Sequence, residues 1–157
     1  MQTVSTCLWF DDQAEEAVAF YTGLFPDSRV IDTKYYLDGA PRPAGSVLTI
    51  RFTLGGTEYV ALNGGPHFKF TAAVSLVACC DTQEDVDRLW RELTAGGEES
   101  MCGWLVDRYS LSWQVVPRVL LELLNTADTA ASQRTVDAML EMRKLDIAAL
   151  QRAYRGN

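Results

Sequence analysis

Asp12 and Glu15 recur as Asp81 and Glu84, an offset of 69 residues, and each pair stands just behind a short run of β-branched, aromatic and other apolar residues. An Asp followed three positions later by a Glu is the spacing at which two side chains can each reach an unpaired backbone N–H at a helix start. Behind the first pair, Ala14, Ala17, Val18 and Tyr21 recur at helical spacing until Gly23 and Pro26. Behind the second, Val86, Leu89, Trp90 and Leu93 form an apolar stripe that ends at Gly96-Gly97. The strand candidates in front, residues 3–10 and 74–79, keep the same order. A strand and a capped helix repeated in one order predict an internal duplication.

Between the helices, residues 29–37, 46–54 and 57–62 read as strands. The last two are joined by Gly55-Gly56, a pair free to take the positive φ values that a two-residue hairpin turn requires. Residues 38–45, DGAPRPAG, read as an exposed loop or lid, because proline cannot serve a central ladder. The second copy is shorter: a segment near 98–101, a strand near 103–107, a turn at Tyr109 and Ser110, and a strand over 111–116 ended by Pro117. Residues 120–124 read as one or two amphipathic turns. Residues 130–154 read as one long helical tail with Val136, Met139, Leu140, Leu145, Ile147 and Leu150 as packing candidates.

The expected fold class is therefore α+β: tandem βαβββ modules forming an open barrel-like cleft, with a C-terminal helical extension. The expected division is a tandem-module domain over 1–124 and an extension over 125–157 that packs on the same domain or on a dimer partner. A sheet face left uncovered by its helix is a common place for a small-molecule pocket.

A net charge of −7 and a single histidine argue against a nucleic-acid partner, which requires lysine and arginine gathered on one face. The chain shows neither a basic segment leading an apolar run at its start nor an apolar stretch long enough to span a membrane. Cys79 and Cys80 are adjacent in a strand-like run and point to opposite faces. With Cys7 and Cys102 they read as reduced thiols, mostly buried, and a cytoplasmic location is expected.

Among residues with usable chemistry, Trp9, Trp104 and Trp113 are candidate walls of an apolar pocket, with Asn63 and Gln114 as the hydrogen-bonding groups that orient a ligand. Cys7, Cys102 and His67 are further candidates: Cys102 as a thiol brought to the pocket, His67 as a base or, when protonated, an anion-binding group, or else as a surface or loop-anchoring residue. Gly64-Gly65-Pro66 lacks the lysine and hydroxyl of a phosphate loop and reads as a turn between modules. Asp107 and Arg108 read as a pair with each other or as anchors of the turn that follows them. No catalytic residue is assigned.

The paired modules and the phrases LNGGPHFKFTAAVSL, CGWLVDRYSLSWQVVP and FYTGLFPDS resemble the PhnB-like branch of the vicinal oxygen chelate superfamily, which includes glyoxalase I and bleomycin-resistance proteins. The resemblance covers residues 3–124 and implies a homodimer that takes a small molecule. Metal-dependent members place histidine and glutamate on the first and last strands of each module. The matching neighbourhoods here are Cys7 or Trp9, Ala61 or Asn63, Ser75 or Val77, and Gln114, with Glu58 and Glu122 near the segment ends and no histidine among them. A divalent site needs several converging oxygen or nitrogen ligands. The expectation is accordingly a small-molecule binding protein with neither a catalytic metal nor another cofactor. The alternative is a metal- or thiol-dependent lyase, isomerase or dioxygenase-like enzyme.

Overall fold

A computed structural model describes residues 4–157; Thr3, at the start of the first expected strand, lies outside the described residues. The chain divides into two units, residues 1–70 and 71–157.

The first unit runs β1 (Thr6–Phe10), α1 (Ala14–Leu24), β2 (Arg29–Tyr35), β3 (Val47–Leu54) and β4 (Thr57–Asn63). Its sheet has the order β1-β4-β3-β2, with β1 parallel to β4 and the other pairs antiparallel. Alternation along the strands sends Leu8, Phe10, Ile50, Phe52 and Ala61 to one face, where they are buried with Ala14, Ala17, Val18 and Tyr21 of α1. Burial of each larger side chain stabilises the unit by about 1.5–3 kcal/mol. The β3–β4 hairpin closes as its sequence requires: Leu54 pairs with Thr57, and Gly55 and Gly56 take φ of 53° and 79°.

The second unit runs β5 (Ser75–Cys80), α2 (Gln83–Thr94), β6 (Glu98–Glu99), β7 (Trp104–Val106) and β8 (Ser112–Pro117), with sheet order β5-β8-β7-β6 and β5 parallel to β8. The two sheets share one topology, so the duplication read from the sequence is present in the fold. The offset of 69 holds from β1 into the start of the third element, where Arg29 opens β2 and Glu98 opens β6. Beyond that point the second copy contracts, because the 11-residue connection between β2 and β3 is replaced by the four residues 100–103.

Two local expectations are corrected. Neither Asp12 nor Asp81 caps its helix. The residue before α1 is Gln13, which makes no side-chain cap bond, and the Ala14 N–H instead donates to Asn63 Oδ1 at 2.9 Å. In α2 the cap is Thr82, whose hydroxyl accepts from Asp85 N at 3.1 Å, while Asp81 pairs with Arg118 at 2.7 Å. The expected single tail helix is also two, α4 (Thr129–Leu140) and α5 (Ile147–Arg155), preceded by the short α3 (Arg118–Leu124). The break falls where the carbonyls of Met142 and Arg143 leave the helical ladder to accept from Cys102 N and Gly103 N, both at 2.7 Å. Asp146 then caps the restart, accepting from Ala149 N at 2.7 Å.

This tail packs on the second unit. Val116, Leu120, Leu145 and Leu150 form one buried cluster with Leu123, Leu124, Met139 and Met142 around it. The Gln83 side chain fastens the linker to α2: its Nε2 donates to Leu145 O at 3.1 Å, and its Oε1 accepts from Ile147 N at 2.8 Å.

Candidate functional site

In the first unit, Trp9 and Cys7 lie on the sheet face turned away from α1, as the alternation with buried Leu8 and Phe10 dictates. Trp9 is half-buried. Its indole N–H donates to Gly65 O at 2.8 Å, and its ring meets Phe68 edge-on with centroids 4.9 Å apart. Gly64 is what permits this placement, since a Cβ there would overlap the Trp9 ring. The expectation of mostly buried cysteines is corrected, since Cys7 and Cys79 point to the helix-free side of their strands and are exposed and only Cys80 is buried; the desolvation Cys7 does experience raises its thiol above the ordinary value. His67 is exposed in the loop after Gly65.

Asn63 points the other way, toward α1, and is 3% exposed. Besides accepting from Ala14, its amide donates to Glu15 Oε2 at 2.8 Å and to Val47 O at 3.1 Å. Both amide hydrogens are thus spent inside the fold, where they join β4, β3 and the start of α1.

In the second unit Trp113 occupies the α2 side of the sheet. It is 2% exposed and donates from Nε1 to Asp107 Oδ2 at 2.9 Å. Asp107 Oδ1 accepts from Tyr109 N at 2.8 Å and Leu111 N at 3.0 Å, so one buried carboxylate shapes the β7–β8 turn and fixes the indole behind it. The turn-anchoring reading of Asp107 agrees with this geometry.

The opposite face of the same sheet carries Trp104 and Gln114, which are direct cross-strand partners, and Val77, which pairs with Gln114 from the other side. Gln114 Nε2 donates to Ser75 Oγ at 3.0 Å, which holds the carboxamide on the sheet. Cys102, at φ 59°, brings its thiol to the end of the row. Over this face lies a groove of about 360 Å³ walled by Leu120, Leu121 and Met139, and a smaller one of about 210 Å³ adjoins it across Cys102 and Trp104. The fold therefore gathers three of the sequence candidates, Cys102, Trp104 and Gln114, in one concavity and commits Asn63 and Trp113 to structural bonds. Met139 reads from sequence as an ordinary packing residue and Leu121 as part of an amphipathic turn; on the same sheet face Val77 and Cys79 are exposed in mid-strand.

Among the described residues, no group of three or more His, Cys, Asp or Glu side chains is placed to hold a metal ion. The matched strand positions explain why: Ala61 and Asn63 face α1, whereas the far faces present Cys7, Trp9, Ser75, Val77 and Gln114, and Glu58 on the far face of the first sheet is paired with Arg51 at 2.8 Å. A single amide, a hydroxyl tied to it, a thiol and one carboxylate already held by Arg51 are a poor donor set for a divalent cation. The donors present do not fit the group that metal-dependent relatives hold.

Two four-stranded sheets of identical order, each with parallel first and last strands and one helix against one face, define the vicinal oxygen chelate fold. The chain belongs to the family described as 3-demethylubiquinone-9 3-methyltransferase, whose model matches residues 2–116, and to the PhnB-like branch of that superfamily. It is similar to the putative 3-demethylubiquinone-9 3-methyltransferase, PhnB protein, from Bacillus cereus, with 34% identity and a TM-score of 0.68 over 74% of this chain and 99% of that one. Protein PA1353 from Pseudomonas aeruginosa is 20% identical with a TM-score of 0.61, over 74% of this chain and 98% of that one. The fosfomycin resistance protein FosX from Listeria monocytogenes is 15% identical with a TM-score of 0.58, over 80% of this chain and 98% of that one. The last two share the fold. No curated protein sequence matches the chain.

Proposed function

We propose that this protein binds a small molecule in the manner of the glyoxalase and bleomycin-resistance proteins, without a catalytic metal, and acts as a cytoplasmic homodimer. The observation that carries the reading is the concavity on the second sheet, where Trp104 and a tethered Gln114 lie among hydrocarbon side chains and Cys102. An aromatic wall removes ligand surface from water at roughly 25 cal/mol per Å², and one fixed amide sets orientation. The donor set supports binding over metal chemistry, and family membership does not by itself assign methyl transfer to this chain.

The dimer has separate support. β2 is an edge strand, and Val30, Ile31, Tyr35 and Leu37 on or just beyond it are 39–78% exposed, an apolar surface that a second copy would cover. Light scattering at high micromolar concentration tests it, with twice the chain mass expected and a monomer contradicting it.

The binding reading is tested by a ligand screen followed by tryptophan fluorescence and thermal shift, repeated with Trp104→Ala and Gln114→Ala. Hits whose affinity falls in both variants are expected. Hits indifferent to both, with the fold intact, would refute the assignment.

A further inference from the structure

The family match ends at residue 116, yet the groove does not. Its floor is sheet, from Val77, Trp104 and Gln114, but its wall is Leu120 and Leu121 of α3 and Met139 of α4, all beyond the matched segment. That wall is fastened to the module at several points. Cys102 N and Gly103 N donate to the linker carbonyls, Gln83 clasps Leu145 and Ile147, Lys144 pairs with Asp87 at 2.6 Å, and Leu145 is fully buried. A wall held by this many bonds is a preorganised side of a pocket, which lowers the ordering cost of binding.

We infer that the segment beyond the family match, α3 and α4, is part of the binding site, and that with the second sheet it selects a neutral, ring-bearing molecule carrying one hydrogen-bonding group. This rests on the binding reading above and specifies its ligand. No lining side chain of the groove is charged. An ion entering it sheds part of its water with no counter-charge in return. Trp104 offers a face for ring stacking. Gln114, with one amide hydrogen held by Ser75, keeps its carbonyl oxygen as an acceptor and its second N–H as a donor for one hydrogen-bonding group of a ligand. At about 360 Å³ the concavity lies at the small end of ligand pockets, and its walls on two sides suit a compact molecule better than a flat subunit surface.

The test uses the full chain and two fluorescent probes with one ring skeleton: N-phenyl-1-naphthylamine, neutral with one N–H, and its sulfonated anion 1-anilinonaphthalene-8-sulfonate. Leu121→Glu places a charge in the wall at a position 50% exposed, and Leu140→Glu makes the same change at a position 53% exposed in α4 and outside the groove lining. The neutral probe should bind saturably and about tenfold or more tighter than the anion, lose at least about tenfold in Leu121→Glu, and be unchanged in Leu140→Glu. Melting curves confirm that each variant is folded. Equal effects of the two variants, equal affinity for the two probes, or no saturable binding of the neutral probe overturns the inference. So does a Leu121→Glu protein that changes mass by light scattering while keeping probe affinity, since the face would then be an interface between copies. Trp104→Ala separates the two levels. Probe binding that is lost in Trp104→Ala but indifferent to Leu121→Glu ends the role of the segment beyond residue 116 and leaves the binding function standing. Indifference to both ends both.

Discussion

Asn63, the last residue of β4, accepts from the Ala14 N–H at 2.9 Å and thereby caps α1 from 49 positions away in sequence. The N-terminal turn of α1 is satisfied by a strand end. Helix and sheet are joined at one buried amide, which also donates to Glu15 and to the Val47 carbonyl.

Replacement Asn63→Ala should therefore cost about 2–4 kcal/mol, more than loss of a typical surface cap, because a buried N–H and a buried carbonyl lose their partner together. Asn63→Asp keeps the acceptor but removes both donors and faces Glu15 with a like charge, so it should be destabilising as well. Urea unfolding of the two variants checks this; a loss below about 1 kcal/mol in both would contradict the joint.

Asp107 serves Tyr109 N, Leu111 N and Trp113 Nε1 at once. Asp107→Ala should destabilise by about 3 kcal/mol or more, and Trp113→Phe, which leaves only the carboxylate oxygen short of a donor, by less. Near-ultraviolet circular dichroism of Asp107→Ala should show altered indole signals before global unfolding.

These two residues mark what the sequence could and could not disclose. The duplicated order, the Gly55-Gly56 hairpin and the inward stripes of both helices were legible, because each depends on local periodicity or on a φ requirement. Which residue caps α1 was not, since Asn63 reaches Ala14 only once β4 has paired with β1. The break in the C-terminal helix was hidden for the same reason: residues 130–154 keep a helical pattern, but the carbonyls of Met142 and Arg143 find partners at Cys102 and Gly103. Trp113 and Trp104 look alike in sequence, yet strand alternation puts one behind the sheet and the other in front of it.

Thiol chemistry separates adjacent cysteines. Cys79 is exposed and should be alkylated readily, whereas Cys80 is buried, and desolvation, reinforced by the nearby Asp85 carboxylate, pushes its thiol up to about 11. A folded-state value above the unfolded value near 9.0 means the associated stability is present in full below pH 9 and is lost as pH rises toward 11. Mass spectrometry after iodoacetamide treatment at pH 8 should find Cys79 modified and Cys80 protected. Cys80→Ala should flatten the alkaline part of the stability profile.

Gly103 has φ 82°, and a Cβ there would stand 2.7 Å from Val115 O and 3.1 Å from Leu145 Cδ1. Gly103→Ala should both strain the backbone and push Leu145 away, costing roughly 2 kcal/mol or more and loosening the linker at 141–146. Hydrogen exchange should then quicken at Ile147, whose N–H donates to Gln83. Unchanged exchange there would show that the extension is held independently of the turn at Gly103.

The central claim is that the face carrying Trp104 and Gln114 binds a small molecule without a metal. The direct measurement is calorimetric titration of chelator-treated protein with a hit from the screen, before and after addition of Mg²⁺, Mn²⁺, Fe²⁺, Ni²⁺ or Zn²⁺, in the wild-type protein and in Trp104→Ala. Expected are one ligand per chain, an affinity that added metal does not change, and loss of that affinity in Trp104→Ala. Stoichiometric metal uptake, with ligand binding that appears only after it, would contradict the account.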